Sequence, residues 1–145
     1  MRKTIVEGVP RHEPILALFA NDAFPARAEQ ILEAGEPFLL VSDFACAEFA
    51  SAIAKRVRVG QFGMSDAQLA LSNFDAWLPR TAQQMSITSA GVKVAEAYLR
   101  RLDLTLRTLD AIHIATVQRI GATLLTFDRK MAECARVLGI PVQPQ

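Results

Sequence analysis

Three acidic side chains lie where the surrounding sequence predicts burial. Asp110 and Asp128 stand at the two ends of an apolar stretch that contains no other acidic residue, and Glu48 is the single charge in the apolar run 44–54. A buried carboxylate without a partner is costly, so each acid requires compensation. Acids without histidine or cysteine ligands suit a hard cation such as Mg²⁺. Such an ion can activate water and stabilise charge on a phosphodiester.

Structural explanations compete with metal binding for each acid. Asp110 falls in the first turn of a predicted helix and Asp128 directly precedes another, so both are plausible helix caps. Glu48 is plausible as a buried acid paired with an arginine. The spacing of the three residues alone does not decide between these roles and a metal site.

The apolar periodicity predicts the elements that must position these acids. Strands are predicted at 4–7, 38–41, 85–87, 123–127 and 140–142, the last of them at an edge. Helices are predicted at 15–20, 26–34, 44–59, 67–78, 89–102, 108–120 and 129–138, with Pro79 ending the fourth. Short apolar strands between helices predict an α/β fold with a mostly parallel sheet covered on both faces. Sites form at the carboxyl ends of such strands, so Asp110 and Asp128 are expected to converge there.

The composition indicates one globular domain spanning residues 1–145. Hydrophobic residues make up 51% of the chain and charged residues 21%, and the net charge of +1 neither requires nor excludes nucleic acid. No apolar run approaches the roughly 20 residues that span a bilayer, and residues 1–14 lack the apolar core of a secretory signal. The cytoplasm is the expected location. Cys46 and Cys134 are expected to be buried free thiols.

Two segments resemble the PIN domain, and in particular the VapC-like toxins of type II toxin–antitoxin pairs. They are VSDFACAEFASAIAKRVRVG at 41–60 and LDAIHIATVQRIGATLLTFDRKMAECARVLGI at 109–140. The resemblance implies a three-layer α/β/α fold and a Mg²⁺- or Mn²⁺-dependent ribonuclease with an RNA substrate. It also implies an antitoxin partner and a homodimer. Glu48, Asp110 and Asp128 match acidic metal-site positions of the family, and Thr126 matches its small hydroxyl residue.

The sequence departs from the family pattern at its first acid. The family opens with a strand that ends in aspartate and leads to an apolar helix, and here that aspartate position falls on Arg11. Glu7 and Glu13 are the candidate substitutes in an atypical segment 1–14. The main prediction is therefore a ribonuclease. The alternative is a non-catalytic module that binds an antitoxin or RNA. A DNA-cleaving nuclease with the same site is not separated by the sequence.

Other polar and aromatic residues have simpler explanations. His113 is interpreted as a packed or hydrogen-bonded core histidine, although it lies on nearly the same helix face as Asp110. Arg129 and Lys130 directly follow Asp128 and could meet a phosphate. The basic residues at the end of helix 44–59 could guide RNA phosphates but are interpreted as a solvated helix end: Lys55, Arg56 and Arg58. The aromatic residues Phe49, Phe74 and Trp77 are interpreted as core or as partner surface.

Overall fold

The computed structural model describes residues 3–6 and 38–143. Within them, five strands form one parallel sheet in the order β3-β2-β1-β4-β5. The strands are β1 (Lys3–Val6), β2 (Phe38–Ser42), β3 (Ala82–Met85), β4 (Thr123–Leu125) and β5 (Val142–Gln143). The helices are α1 (Asp43–Arg58), α2 (Met64–Thr81), α3 (Ser89–Arg100), α4 (Thr108–Ile120) and α5 (Arg129–Val137).

Helices cover both faces of the sheet, as predicted. Successive side chains of a strand point to opposite faces. Leu39 and Val41 of β2 therefore join the core under α1 and α2, whereas Leu40 joins the core under α4 and α5. In β4, Leu125 and Leu124 divide between the same two cores. The three-layer α/β/α arrangement follows from this alternation.

The first layer, α1 and α2, is held together by aromatic packing. The Ser42 hydroxyl accepts a 2.9 Å hydrogen bond from the Ala45 N–H and so caps α1. The rings of Phe49 and Phe74 lie 4.4 Å apart at their centroids in the buried core. Leu69 of α2 lies outside this core and is 61% exposed.

The sequence prediction for the end of α2 is wrong. The helix runs through Pro79 to Thr81 and the edge strand β3 follows directly, rather than at 85–87. A proline removes one backbone donor, and here it does so close to the helix end. Buried Leu78 holds this last turn in the core. The strand was missed because Gln83 and Gln84 are polar and exposed, which an edge position permits.

The helical layer on the other face of the sheet contains α3, α4 and α5. Gly121 ends α4 in the left-handed conformation, with φ of 65°, and turns the chain into β4. This strand ends at Leu125 and not at residue 127 as predicted, and α3 ends at Arg100 and not at residue 102. Strand β5 lies at an edge, as expected, but occupies Val142–Gln143.

Several predictions concern residues outside the described ones. They are the helices at 15–20 and 26–34 and the acids Glu7 and Glu13. In the described ranges, no helix has both the length and the apolar character needed to cross a membrane. Cys134 is buried, Cys46 is only half-buried, and both are free thiols.

Candidate active site

The carboxyl ends of β2 and β4, the two strands that flank β1, lead to two of the predicted acids. Strand β2 passes directly into α1, whose first half carries Glu48. Strand β4 leads through Thr126 to Asp128 at the start of α5. Asp110 lies in the first turn of α4. The acids therefore come from three separate helices.

Glu48 is buried and bound to a histidine rather than to an arginine. Its Oε2 atom lies 2.6 Å from Nε2 of His113, with which it shares a hydrogen bond, and both side chains are almost fully buried. The ring of Phe44 packs against the imidazole at a centroid distance of 5.2 Å. Oε1 of Glu48 is buried without a hydrogen-bond partner among the described residues. The expectation of a hydrogen-bonded core histidine is confirmed, and its partner is a predicted site acid.

Burial and a neighbouring charge change the acidity of Glu48. Its pKa is raised from 4.5 to about 8, mainly by desolvation and in addition by the negative charge of Asp110. The positive charge of Arg107 opposes both effects. Glu48, Asp110 and Arg107 therefore belong to one electrostatic cluster, although Glu48 comes from α1 and the other two from the start of α4.

Asp110 is bound by the arginine that precedes its helix. Its Oδ2 atom accepts hydrogen bonds from the Arg107 backbone N–H at 3.3 Å and from Nε–H at 2.9 Å. Its Oδ1 atom accepts from Nη2 of the same guanidinium at 3.1 Å. Asp110 therefore caps α4, as its structural explanation required, and also forms a two-point ion pair.

Asp128 caps α5 and is reached by the same guanidinium. Its Oδ1 atom accepts a 3.0 Å hydrogen bond from the Met131 N–H, and its Oδ2 atom lies 3.5 Å from Nη2 of Arg107. The buried Thr126 hydroxyl accepts a 3.0 Å hydrogen bond from the Asp128 N–H and fixes the backbone before the helix. One guanidinium nitrogen thus contacts both Asp110 and Asp128, which places the two acids close together.

Comparison with known protein families classifies the chain that carries this site. The PIN domain family matches residues 14–137, which is most of the chain. The chain belongs to the PIN domain family. The parallel sheet is therefore that of a PIN domain.

Related proteins support the same fold. Ribonuclease VapC46 of Mycobacterium tuberculosis is 50% identical over 44 residues, which cover 28% of this chain and 34% of that protein. The match thus spans about a third of that relative's length. The crystal structure of VapC20 from M. tuberculosis, a toxin that cleaves the sarcin–ricin loop, superposes with a TM-score of 0.70 at 19% identity and covers 90% of this chain and 94% of that one. VapBC2 of Rickettsia felis, solved with a promoter DNA fragment, gives a TM-score of 0.68 at 16% identity, with coverage of 99% and 98%.

The donor atoms of this PIN domain suit a hard divalent cation in their chemistry. The three acids offer carboxylate oxygens, which Mg²⁺ and Mn²⁺ prefer, and Oε1 of Glu48 is a buried acceptor that a cation would satisfy. Residues 3–6 and 38–143 hold no group of three or more His, Cys, Asp or Glu side chains positioned to bind a metal ion. Arg107 binds two of the three acids and His113 binds the third.

Sequence reasoning missed Arg107 altogether. The residue lies between the predicted helices 89–102 and 108–120. Its partners become apparent only when Asp110 and Asp128 approach it in three dimensions. Its position three residues before a first-turn acid is a local signal, because side chains at this spacing can meet. The spacing of three residues between Asp110 and His113 gave a similar signal, but nothing local pointed to Glu48 as the partner of His113.

Proposed function

We propose that this PIN domain is a Mg²⁺- or Mn²⁺-dependent endoribonuclease, the toxin of a type II toxin–antitoxin pair, acting in the cytoplasm. The observation that carries the proposal is the joining of Asp110 and Asp128 by one guanidinium beside the buried Glu48. Two buried acids, Glu48 and Asp110, serve poorly as structure alone, since each costs desolvation. The toxin names of the related proteins support the same activity.

In this proposal, Glu48, Asp110 and Asp128 hold the metal ion. When bound, the ion would supply an activated water and stabilise charge on the RNA phosphodiester. His113 holds Oε2 of Glu48, which leaves Oε1 as the ligand atom. The Thr126 hydroxyl fixes the backbone of Asp128, and the Met131 N–H holds its Oδ1 atom. The protein thereby orients each acid by a second contact, which is the usual support for a metal ligand.

The proposed first acid of the site is Glu7, with Glu13 as the alternative. Strand β1 is the central strand of the sheet, and its last residue, Val6, pairs with Val41 and Leu125. Glu7 follows Val6 directly in the sequence, as the family's aspartate follows its first strand. Glu13 is separated from this strand by further residues, including Arg11. The order of the chain therefore favours Glu7.

Substitution of Asp110 tests the activity. In Asp110→Asn the amide oxygen can still accept the Arg107 N–H, but the ligand charge is lost. We expect Mg²⁺- or Mn²⁺-dependent cleavage of a labelled single-stranded RNA to fall by about a thousandfold or more, as for loss of an essential catalytic group. The matched control is Asp103→Asn, which removes an exposed acid that also pairs with an arginine. It should retain full activity.

Two outcomes would contradict the proposal. If folded Asp110→Asn cleaves RNA at the wild-type rate in the presence of metal, this residue is not an essential metal ligand. If the protein cleaves a single-stranded DNA of the same sequence but not the RNA, it is a DNA-processing nuclease and not a ribonuclease. Circular dichroism of the wild type and both variants shows that any loss of activity arises in a folded protein.

The proposed protein partners are an antitoxin and a second copy of this chain. The helix pair α1 and α2 buries most of its apolar side chains in its own core, but leaves Val59, Met64 and Leu69 exposed. We assign the antitoxin contact to this pair, in which an apolar helix of the partner would cover these residues. Copurification with the product of a small neighbouring open reading frame tests the assignment, and Leu69→Glu should weaken it.

A non-catalytic binding module is the second candidate function. It is favoured by the lack of a preformed three-ligand group in the described ranges and by Arg11 at the family's first acid position. A site that binds metal stabilises the folded protein by mass action. Thermal unfolding during a Mn²⁺ titration separates the two functions: a raised melting temperature at millimolar Mn²⁺ supports the nuclease, and an unchanged one supports the binding module.

A further inference from the structure

The guanidinium of Arg107 occupies the position between two of the acids to which the proposed function assigns a cation. It donates two hydrogen bonds to Asp110, from Nε at 2.9 Å and from Nη2 at 3.1 Å. The same Nη2 lies 3.5 Å from Asp128. Two-point contacts of this kind are among the stronger arginine–carboxylate pairs. The group therefore supplies positive charge to both acids without a metal.

The burial of the three side chains shows which partner can leave. The Asp110 side chain is 7% exposed and Asp128 is 35% exposed, whereas the Arg107 side chain is 59% exposed. Asp110 must keep a positive partner, because a buried carboxylate without one is costly. More than half of the Arg107 side chain already faces solvent, so its guanidinium can move into water more readily than Asp110 can. A divalent cation would give both acids the charge that the arginine now supplies.

We infer that Arg107 is an internal counter-ion that holds Asp110 and Asp128 in the metal-free protein, and that a divalent cation must displace its guanidinium from both carboxylates. This inference rests on the proposed metal site. It adds that the chain itself sets the metal affinity of the site. The fraction of molecules with the arginine turned away determines the apparent dissociation constant, as for any site whose binding-competent state is a minor population.

Metal affinity in matched arginine variants tests the inference. Calorimetric titration with Mn²⁺ is carried out on the wild type, Arg107→Gln, Arg129→Gln and Arg101→Gln. Arg129→Gln removes the same charge from the exposed residue next to Asp128, and Arg101→Gln removes an arginine from an exposed ion pair. We expect Arg107→Gln to lower the Mn²⁺ dissociation constant by about tenfold, because the competing state is removed. The effect of Arg129→Gln should be under about threefold, since an exposed charge is screened, and Arg101→Gln should have none.

Nuclear magnetic resonance of unmodified protein provides a readout that does not depend on any substitution. In the metal-free protein, the Nε–H of Arg107 should give a side-chain resonance protected from solvent exchange by its bond to Asp110. Addition of Mg²⁺ should remove this protection. In Asp110→Asn, which identifies the resonance, the protection should be lower before any metal is added.

The possible failures are distinguishable. If Arg107→Gln binds Mn²⁺ no more tightly than Arg129→Gln does, or if the Nε–H stays protected at saturating Mg²⁺, the inference is overturned while the metal site stands. If neither the wild type nor Arg107→Gln binds Mn²⁺, the proposed metal site is wrong and the inference is overturned with it. If Asp110→Asn binds Mn²⁺ as tightly as the wild type, the ion binds elsewhere and both are overturned.

Discussion

Two arginine–aspartate ion pairs in this protein have nearly the same geometry and very different surroundings. Arg101 contacts Asp103 through Nε at 3.0 Å and Nη2 at 2.7 Å, and Arg107 contacts Asp110 at 2.9 Å and 3.1 Å through the same two atoms. The Asp103 side chain is 55% exposed, whereas that of Asp110 is 7% exposed. Among residues 3–6 and 38–143, only the second pair has another acid, Asp128, within reach of its guanidinium.

The difference shows that contact distances alone do not identify a functional ion pair. Water can solvate Asp103 as well as the arginine does, so loss of its partner changes little. Asp110 is removed from water and depends on whatever cation lies beside it. A buried acid whose partner is an exposed, movable arginine can exchange that partner for a metal ion.

After that of Asp110, the largest effect is expected at Asp128, the second acid that the Arg107 guanidinium contacts. Asparagine caps a helix as well as aspartate does, so Asp128→Asn should preserve α5 while removing the ligand charge. We expect RNA cleavage to fall by at least about a hundredfold, an effect typical of a lost electrostatic contact at a catalytic site. Thr88→Asn, at the cap of α3, is the control for a change of capping residue and should leave cleavage unchanged. Full activity in Asp128→Asn would assign this acid to capping alone.

The pH dependence of stability separates the buried cluster from the exposed pair. The pKa of Glu48 in the folded protein is about 8, above its ordinary value of 4.5, so the folded state holds this proton more tightly than the unfolded chain does. The stability contributed by this group is complete below about pH 4.5 and is lost as the pH rises through about 8. Without metal, the wild type should therefore lose stability relative to Glu48→Gln across this window. The loss is expected to be on the order of a few kcal/mol.

Denaturation in EDTA, with His113, Asp110 and Arg107 unchanged beside position 48, measures this loss. Asp103→Asn is the comparison, because the hydrogen bond from Arg101 lowers the pKa of Asp103. The contribution of Asp103 is therefore present above its ordinary value of 3.8 and is lost only at lower pH. Its stability difference from the wild type should stay flat from about pH 5 to pH 8. Parallel curves for Glu48→Gln and the wild type would mean that Glu48 is ionised in the metal-free protein.

The acids could be found from the sequence because each is conspicuous locally. Glu48 is a lone charge in an apolar helix, and Asp110 and Asp128 bracket an apolar helix–strand unit. Burial of Glu48 and Asp110 confirms this part of the interpretation, while their metal-binding role remains a prediction. Most helices and strands were found for the same reason, since periodicity is a local property. Strand β3 was misplaced because an exposed edge strand carries no apolar pattern.

The partners of the acids could not be found in the same way. The contact of Glu48 with His113 joins α1 to α4, and that of Arg107 with Asp128 joins the start of α4 to the start of α5. Each contact exists only after the sheet has brought these elements together. Their identity also bears on the chemistry: an arginine is always charged and favours the ionised form of a neighbouring acid, whereas a histidine can be neutral and need not do so.

The smallest expected effect is the coupling within each ion pair, and it bears directly on the role of Arg107. Double-mutant cycles with alanine at Arg107 and Asp110, and at Arg101 and Asp103, isolate the pairwise free energies of the two pairs. In EDTA, we expect a coupling of about 1–2 kcal/mol for the first pair, because one carboxylate is buried and contacted at two points. The second pair, in which both side chains are exposed, should show a smaller coupling. A coupling near 1.4 kcal/mol corresponds to about a tenfold change in an equilibrium constant, which is the change expected for Mn²⁺ binding in Arg107→Gln. Equal couplings for the two pairs would show that burial of Asp110 does not strengthen its ion pair. Arg107 would then oppose metal binding no more than an exposed arginine such as Arg101 would.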